Sequence, residues 1–60
     1  MEWSQADRFI LAMISQNFDI EVITDYTFNI INAFTETDTH LCTVYFDKQG
    51  NHIEKDCIFM

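Results

Sequence analysis

The order of apolar and polar positions along the chain changes period once, and that change divides it. From Ala6 to Ile14 the apolar residues recur at three-to-four spacing. Ala6, Phe9, Ile10 and Met13 fall on one helical face, and Leu11 with Ile14 widens the stripe. Ser4 stands just before this run with Asp7 three positions on, an acidic form of capping box that also suits the positive end of the helix dipole. Trp3 precedes the cap, where a large apolar side chain can fold back on the first turn. Asn17 tolerates the left-handed conformation that closes many helices. The pattern predicts a helix from Gln5 to Gln16.

Beyond Asn17 the period becomes two. Phe18, Ile20 and Val22 alternate with Asp19 and Glu21, which predicts a strand. Tyr26 to Ile30 alternates again, with Thr24-Asp25 as the break between two strands. Tyr26, Ile30 and Phe34 also lie four apart, so a helix over 26–34 competes; the β preference of Thr, Tyr and Phe favours the strand. Thr35 to Thr39 has no apolar residue and reads as a loop. Leu41 to Phe46 is β-branched and aromatic, Asp47 to Asn51 is turn chemistry around Gly50, and His52 to Phe59 alternates: a β-hairpin. The fold class is therefore α+β, an N-terminal helix packed on a small antiparallel sheet of three to four strands that ends in a C-terminal hairpin. An ααββ arrangement is the alternative. At 60 residues the chain is expected to form one small domain.

The register of the hairpin decides what its side chains do. A three-residue loop, Lys48 to Gly50, sets Phe46 against His52, Val44 against Glu54 and Cys42 against Asp56, mixing apolar and charged groups on one face. A slip by one sets Phe46 against Ile53, Val44 against Lys55, Cys42 against Cys57 and His40 against Phe59. The second register segregates better and is expected. It sends Tyr45, Glu54 and Asp56 outward and turns Cys42 and Cys57 into cross-strand core neighbours, read first as two buried free thiols. A disulfide ranks second because it needs an oxidising compartment. A zinc site recruiting His40 and His52 beside Cys42 and Cys57 ranks last, since H-x-C and H-x4-C spacing lacks the close pairs of structural zinc and the expected register points His52 away from the thiols.

Charge narrows the partner. Ten acids against three bases give a net charge of −7 and a pI near 4.2. Direct binding to nucleic acid needs Lys and Arg to displace counterions, so it is not expected, and neither is an anionic membrane. The amino terminus lacks a basic leader, and FILAMI is too short to span a bilayer, so a cytoplasmic location is expected. One glycine leaves no phosphate-binding glycine loop, and the metalloprotease, serine-hydrolase and calcium-loop motifs are absent. Asp19 with Glu21 and Glu54 with Asp56 read as solvated sides of strands and not as catalytic pairs. Neither an enzyme nor a cofactor is expected.

What the charge favours is a basic protein, itself nucleic-acid-binding, because carboxylates on a rigid scaffold can occupy sites shaped for phosphates. The candidate contact residues are Glu36 and Asp38 in the polar loop, Asp47 at the turn, and Glu54 and Asp56 beside Tyr45, an aromatic anchor. In size, charge and economy the chain resembles the short accessory proteins of bacteriophages and mobile elements that disarm host nucleases, defence systems or polymerases. That likeness implies an inhibitor acting by charge mimicry. The alternative is a self-associating structural or regulatory subunit, a homodimer whose apolar C-terminal strand pairs with a second chain and whose Ile31, Leu41 and Ile58 form the interface.

Overall fold

The computed structural model describes residues 2–58. Its elements are α1 (Gln5–Ser15), β1 (Asp19–Thr24), β2 (Asn29–Phe34), β3 (His40–Phe46) and β4 (His52–Cys57). The strands pair antiparallel in chain order, β1-β2-β3-β4, and α1 packs on one face of the sheet. This is the α+β arrangement that the periodicity predicts; the second helix of the ααββ alternative does not form.

The start of α1 follows its capping residues. Ser4 Oγ accepts from the Asp7 backbone N–H at 3.1 Å, and Asp7 Oδ2 accepts from the Ser4 N–H at 3.4 Å. The helix closes where the Gln16, Asn17 and Phe18 N–H groups reach back to the carbonyls of Met13 and Ile14, with Asn17 left-handed at φ 68°. Trp3 stays more than half exposed, so it does not fold down on the first turn.

β2 begins three residues later than its alternation suggests. Asp25 to Phe28 forms a turn, its Asp25 N–H donating to the Phe28 carbonyl at 2.9 Å, and Tyr26 stands almost fully exposed. The strand is set instead by Ile31 and Ala33, which lie buried beneath the helix. Ile31 is thus core and not the interface residue that the self-association reading made it. It joins Cys42, Val44 and Phe46, with Ala6, Phe9, Ile10, Met13, Ile20 and Cys57 packed around them; the Phe9 and Phe46 rings sit 6.0 Å apart.

The hairpin uses both registers. At the turn, the Asp47 N–H donates to the Asn51 carbonyl at 2.9 Å, the Gly50 N–H donates to the Asp47 carbonyl at 3.0 Å, and Phe46 faces His52. That is the three-residue loop, closed by Gly50 at φ 88°, a conformation only glycine adopts without cost. The ladder then shifts at Ile53, and beyond it Tyr45 faces Glu54, Val44 faces Lys55 and Cys42 faces Cys57. Turn chemistry fixes one end, and a bulge restores the apolar segregation along the rest. The expected partnership of Phe46 with Ile53 is therefore replaced, and that of His40 with Phe59 lies outside the described residues.

Two ties fasten this hairpin. The Gly50 carbonyl accepts from the Ala6 N–H at 3.0 Å, so the turn docks on the first turn of α1; a Cβ on Gly50 would lie 2.5 Å from Ser4 Cβ and Oγ. Across the strands, Cys42 and Cys57 are joined by a disulfide. This corrects the expectation of two free thiols: the register that makes them core neighbours also brings their Cα atoms to 4.1 Å, within reach of a bond. Among the described residues no helix is long and apolar enough to cross a membrane.

Candidate functional site

Because side chains alternate across a strand, the register assigns each one to the helix-covered face or to the open face. Ile31, Ala33, Cys42, Val44 and Phe46 face the helix. Their neighbours form rows across the open face: Ile23, Ile30, Tyr45 and Glu54 in one, and Glu21, Asn32, Thr43 and Asp56 in the next. Asp19 and Phe34 begin a third, which continues to His40. The acids therefore stand on the two outer strands, Asp19 and Glu21 on β1 and Glu54 and Asp56 on β4. Strand spacing puts these two rails about 14 Å apart, with about 7 Å between acids along each strand.

The floor between the rails is uncharged and internally satisfied. Thr43 Oγ1 donates to Asn32 Oδ1 at 2.6 Å and accepts from His40 Nε2 at 2.8 Å. The His40 ring meets Phe34 edge to face at 5.5 Å. Nearer the hairpin turn, Phe28 and Tyr45 stand at 82° with their centroids 5.9 Å apart. With Ile53 and Glu54 they line a hollow of about 280 Å³. Ile53 reaches that wall because it is the bulged residue of β4.

None of the three bases stands on this face. Arg8 is on α1, and Lys55 pairs with buried Val44 on the helix side of β4. Lys48 lies in the hairpin turn, where its ammonium donates to the carbonyls of Asp25 and Phe28. Among the described residues no Lys or Arg stands in the rows of the open face, and Lys48 reaches only its margin at the Phe28 carbonyl.

Of the residues singled out from sequence, the register brings Tyr45, Glu54 and Asp56 together. Glu36 and Asp38 stand exposed in the loop between β2 and β3, off the sheet. That loop is braced by Thr35 Oγ1, which accepts from the N–H groups of Thr37 and Thr39, and Asp38 is left-handed at φ 66°. Asp47 does different work. Its carboxylate accepts from the Asn51 N–H at 2.8 Å, the Gln49 N–H at 3.0 Å and the Asn51 side-chain amide at 3.2 Å. Those bonds, the Asn51 backbone first, hold the carboxyl below its ordinary range. It is a turn-holding residue at the far end of the sheet from Glu36 and Asp38.

Asp19 and Glu21 were missed as partners of Glu54 and Asp56. Their alternation with Ile20 and Val22 marks an exposed strand side, but which edge of the sheet that strand occupies is a matter of tertiary pairing.

A second hollow, about 480 Å³, runs on the helix side between α1 and the β3–β4 hairpin, walled by Phe9, Met13, Val44 and the disulfide. The sulfurs of Cys42 and Cys57 are bonded to each other and His40 is bonded to Thr43, so these three do not assemble as metal ligands. Among the described residues no group of three His, Cys, Asp or Glu gathers where it could hold a metal ion. Comparison with protein-family models, curated proteins and solved structures finds no match.

Proposed function

We propose that the protein is a small acidic binding module that occupies a basic, nucleic-acid-handling protein by charge mimicry, as an inhibitor of the phage or mobile-element type. The observation that carries this is the placement of four acids on the two outer strands of the sheet face away from α1, with no base among the described residues in those rows. Two anionic rails about 14 Å apart flank an uncharged floor much as two phosphate strands flank a DNA major groove about 12 Å wide. A protein surface built to straddle such a groove presents its Arg and Lys at matching separation. Carboxylates answer those cations in the same charge-assisted way as phosphates do. The module itself performs no chemistry in this reading, holds no cofactor and makes no direct contact with nucleic acid.

The cytoplasmic setting expected from the sequence went with free thiols, whereas Cys42 and Cys57 are bonded. Disulfides persist mainly in oxidising surroundings.

The test is capture of partners from a host lysate on the immobilised chain at about 50 mM and again at several hundred mM salt, where screening weakens exposed charge contacts. A basic nucleic-acid-binding partner held at low salt, released at high salt and displaced by duplex DNA supports the proposal. A partner held equally at both salts contradicts it.

One observation favours a second reading, a homodimer, at a different edge from the one first considered. β4 exposes three consecutive charges, Glu54, Lys55 and Asp56, that oppose edge pairing, whereas β1 follows its exposed Asp19 and Glu21 with exposed Val22 and Ile23, and Leu11 and Ile14 of α1 are half exposed as well. Sedimentation at micromolar and near-millimolar concentration distinguishes a β1-paired dimer from a monomer.

A further inference from the structure

The open face holds one feature that charge alone does not explain, the hollow under Tyr45. We infer that it is an arginine-selective anchor, a socket for one guanidinium of the basic partner. This rests on reading the open face as the docking face, and it adds a specific point of contact to an otherwise diffuse field.

The walls have the chemistry a guanidinium requires. Phe28 and Tyr45 meet at 82°, so a planar cation entering the corner lies against one ring face and abuts the other. Ile53 closes the side, and Glu54, directly across the strand pair from Tyr45, supplies a carboxylate at the mouth. Arginine stacks on aromatic faces and forks two N–H groups onto one carboxylate, whereas lysine offers a compact, strongly hydrated point charge that gains little from a dry aromatic wall. A volume of about 280 Å³, room for roughly nine waters at about 30 Å³ each, admits a guanidinium together with its stem.

The surroundings keep the socket open. Lys48 is tied to the carbonyls of Asp25 and Phe28, and Lys55, the residue after Glu54, pairs with Val44 on the other face of β4. The bulge at Ile53 is what brings that side chain to the same hollow as Glu54; in an unbroken ladder successive residues face opposite ways. Both the turn chemistry and the bulge thus contribute to a small apolar corner capped by one acid.

The experiment is an amide-resolved NMR titration of the full chain at low ionic strength with N-acetyl-arginine amide and, separately, N-acetyl-lysine amide. Arginine is expected to shift the amides of Phe28, Tyr45, Ile53 and Glu54 and to bind about fivefold or more tightly than lysine. Glu54→Gln, at an exposed position, is expected to weaken arginine at least threefold. Tyr45→Leu should bring arginine down to the level of lysine while leaving the lysine titration unchanged. The inference is overturned if both probes bind alike in the unaltered protein, if arginine shifts cluster elsewhere, or if Glu54→Gln binds arginine as well as the parent does. Equal binding of the probes beside a salt-sensitive, DNA-displaced partner would remove the anchor and leave the docking face standing.

Discussion

Reducing the Cys42–Cys57 bond is the perturbation whose effect can be worked out most fully from the structure. The cross-link closes a loop of 15 residues, the hairpin itself. Loop-closure entropy for that length amounts to about 3 kcal/mol at 25 °C. A 60-residue chain at the usual 0.05–0.15 kcal/mol per residue holds only about 3–9 kcal/mol in total, so the bond carries a third or more of it. With an unfolding entropy of about 2.1 cal/mol/K per residue, the loss corresponds to a fall in Tm of about 20–25 °C. Reduction is a cleaner perturbation than substitution, because both sulfurs remain in the core beside Val44 and Phe46 and only the covalent link is removed. The assay is far-ultraviolet circular dichroism through thermal melts with and without a phosphine reductant, the thiol count being confirmed by alkylation and mass. A reduced protein that melts within about 5 °C of the oxidised one would refute the reasoning, since the hairpin would then be held by its turn and packing alone.

Two further predictions concern the hairpin turn. Gly50→Ala places a side chain at φ 88° and drives its Cβ against Ser4, so a loss of about 2–4 kcal/mol is expected in urea unfolding. The loss should shrink in a Ser4→Gly background, where the colliding Cβ and Oγ are absent and a glycine cap costs only a few tenths of a kcal/mol; an unchanged loss would locate the cost in the backbone alone. Asp47 has a folded-state carboxyl held below its ordinary value, so its contribution is complete above the ordinary carboxylate range and disappears as pH falls through the folded value. Asp47→Ala should therefore lower Tm at pH 7 and converge on the parent in strong acid, and a deficit independent of pH would show that the three accepted hydrogen bonds do not depend on the charge.

The parts of the fold legible in sequence are those where local chemistry and global packing agree. Ser4 and Asp7 announce the helix, and each makes the bond that its type predicts. Gly50 with Asp47 announces the turn. Where two local signals conflict, sequence alone chooses badly. The hairpin had a turn that favours one register and a hydrophobic pattern that favours the other, and the chain satisfies both by bulging at Ile53. Tyr26 to Ile30 alternates as a strand should, yet Asp25 bonds the Tyr26 N–H through its own carboxylate and opens a turn there. The acid face was half legible. Glu54, Asp56 and Tyr45 follow from the hairpin, but Asp19 and Glu21 join them only because the meander puts β1 and β4 at opposite edges with like-facing sides. The disulfide was weighed against compartment instead of geometry, and the geometry brings the two sulfurs together.

The claim that the open sheet face is the docking surface is tested most directly by removing its charge without touching its shape. Asp19→Asn, Glu21→Gln, Glu54→Gln and Asp56→Asn together move the net charge from −7 to −3. The comparison protein carries Glu2→Gln, Glu36→Gln and Asp38→Asn, which neutralise acids away from the sheet face. Affinity for the captured basic partner is then measured at about 50 mM salt for both, beside the parent. The face variant is expected to bind at least tenfold more weakly while the comparison protein stays within about threefold, since contact charges outweigh distant ones at this screening length. A face variant that binds the partner as tightly as the parent would contradict it.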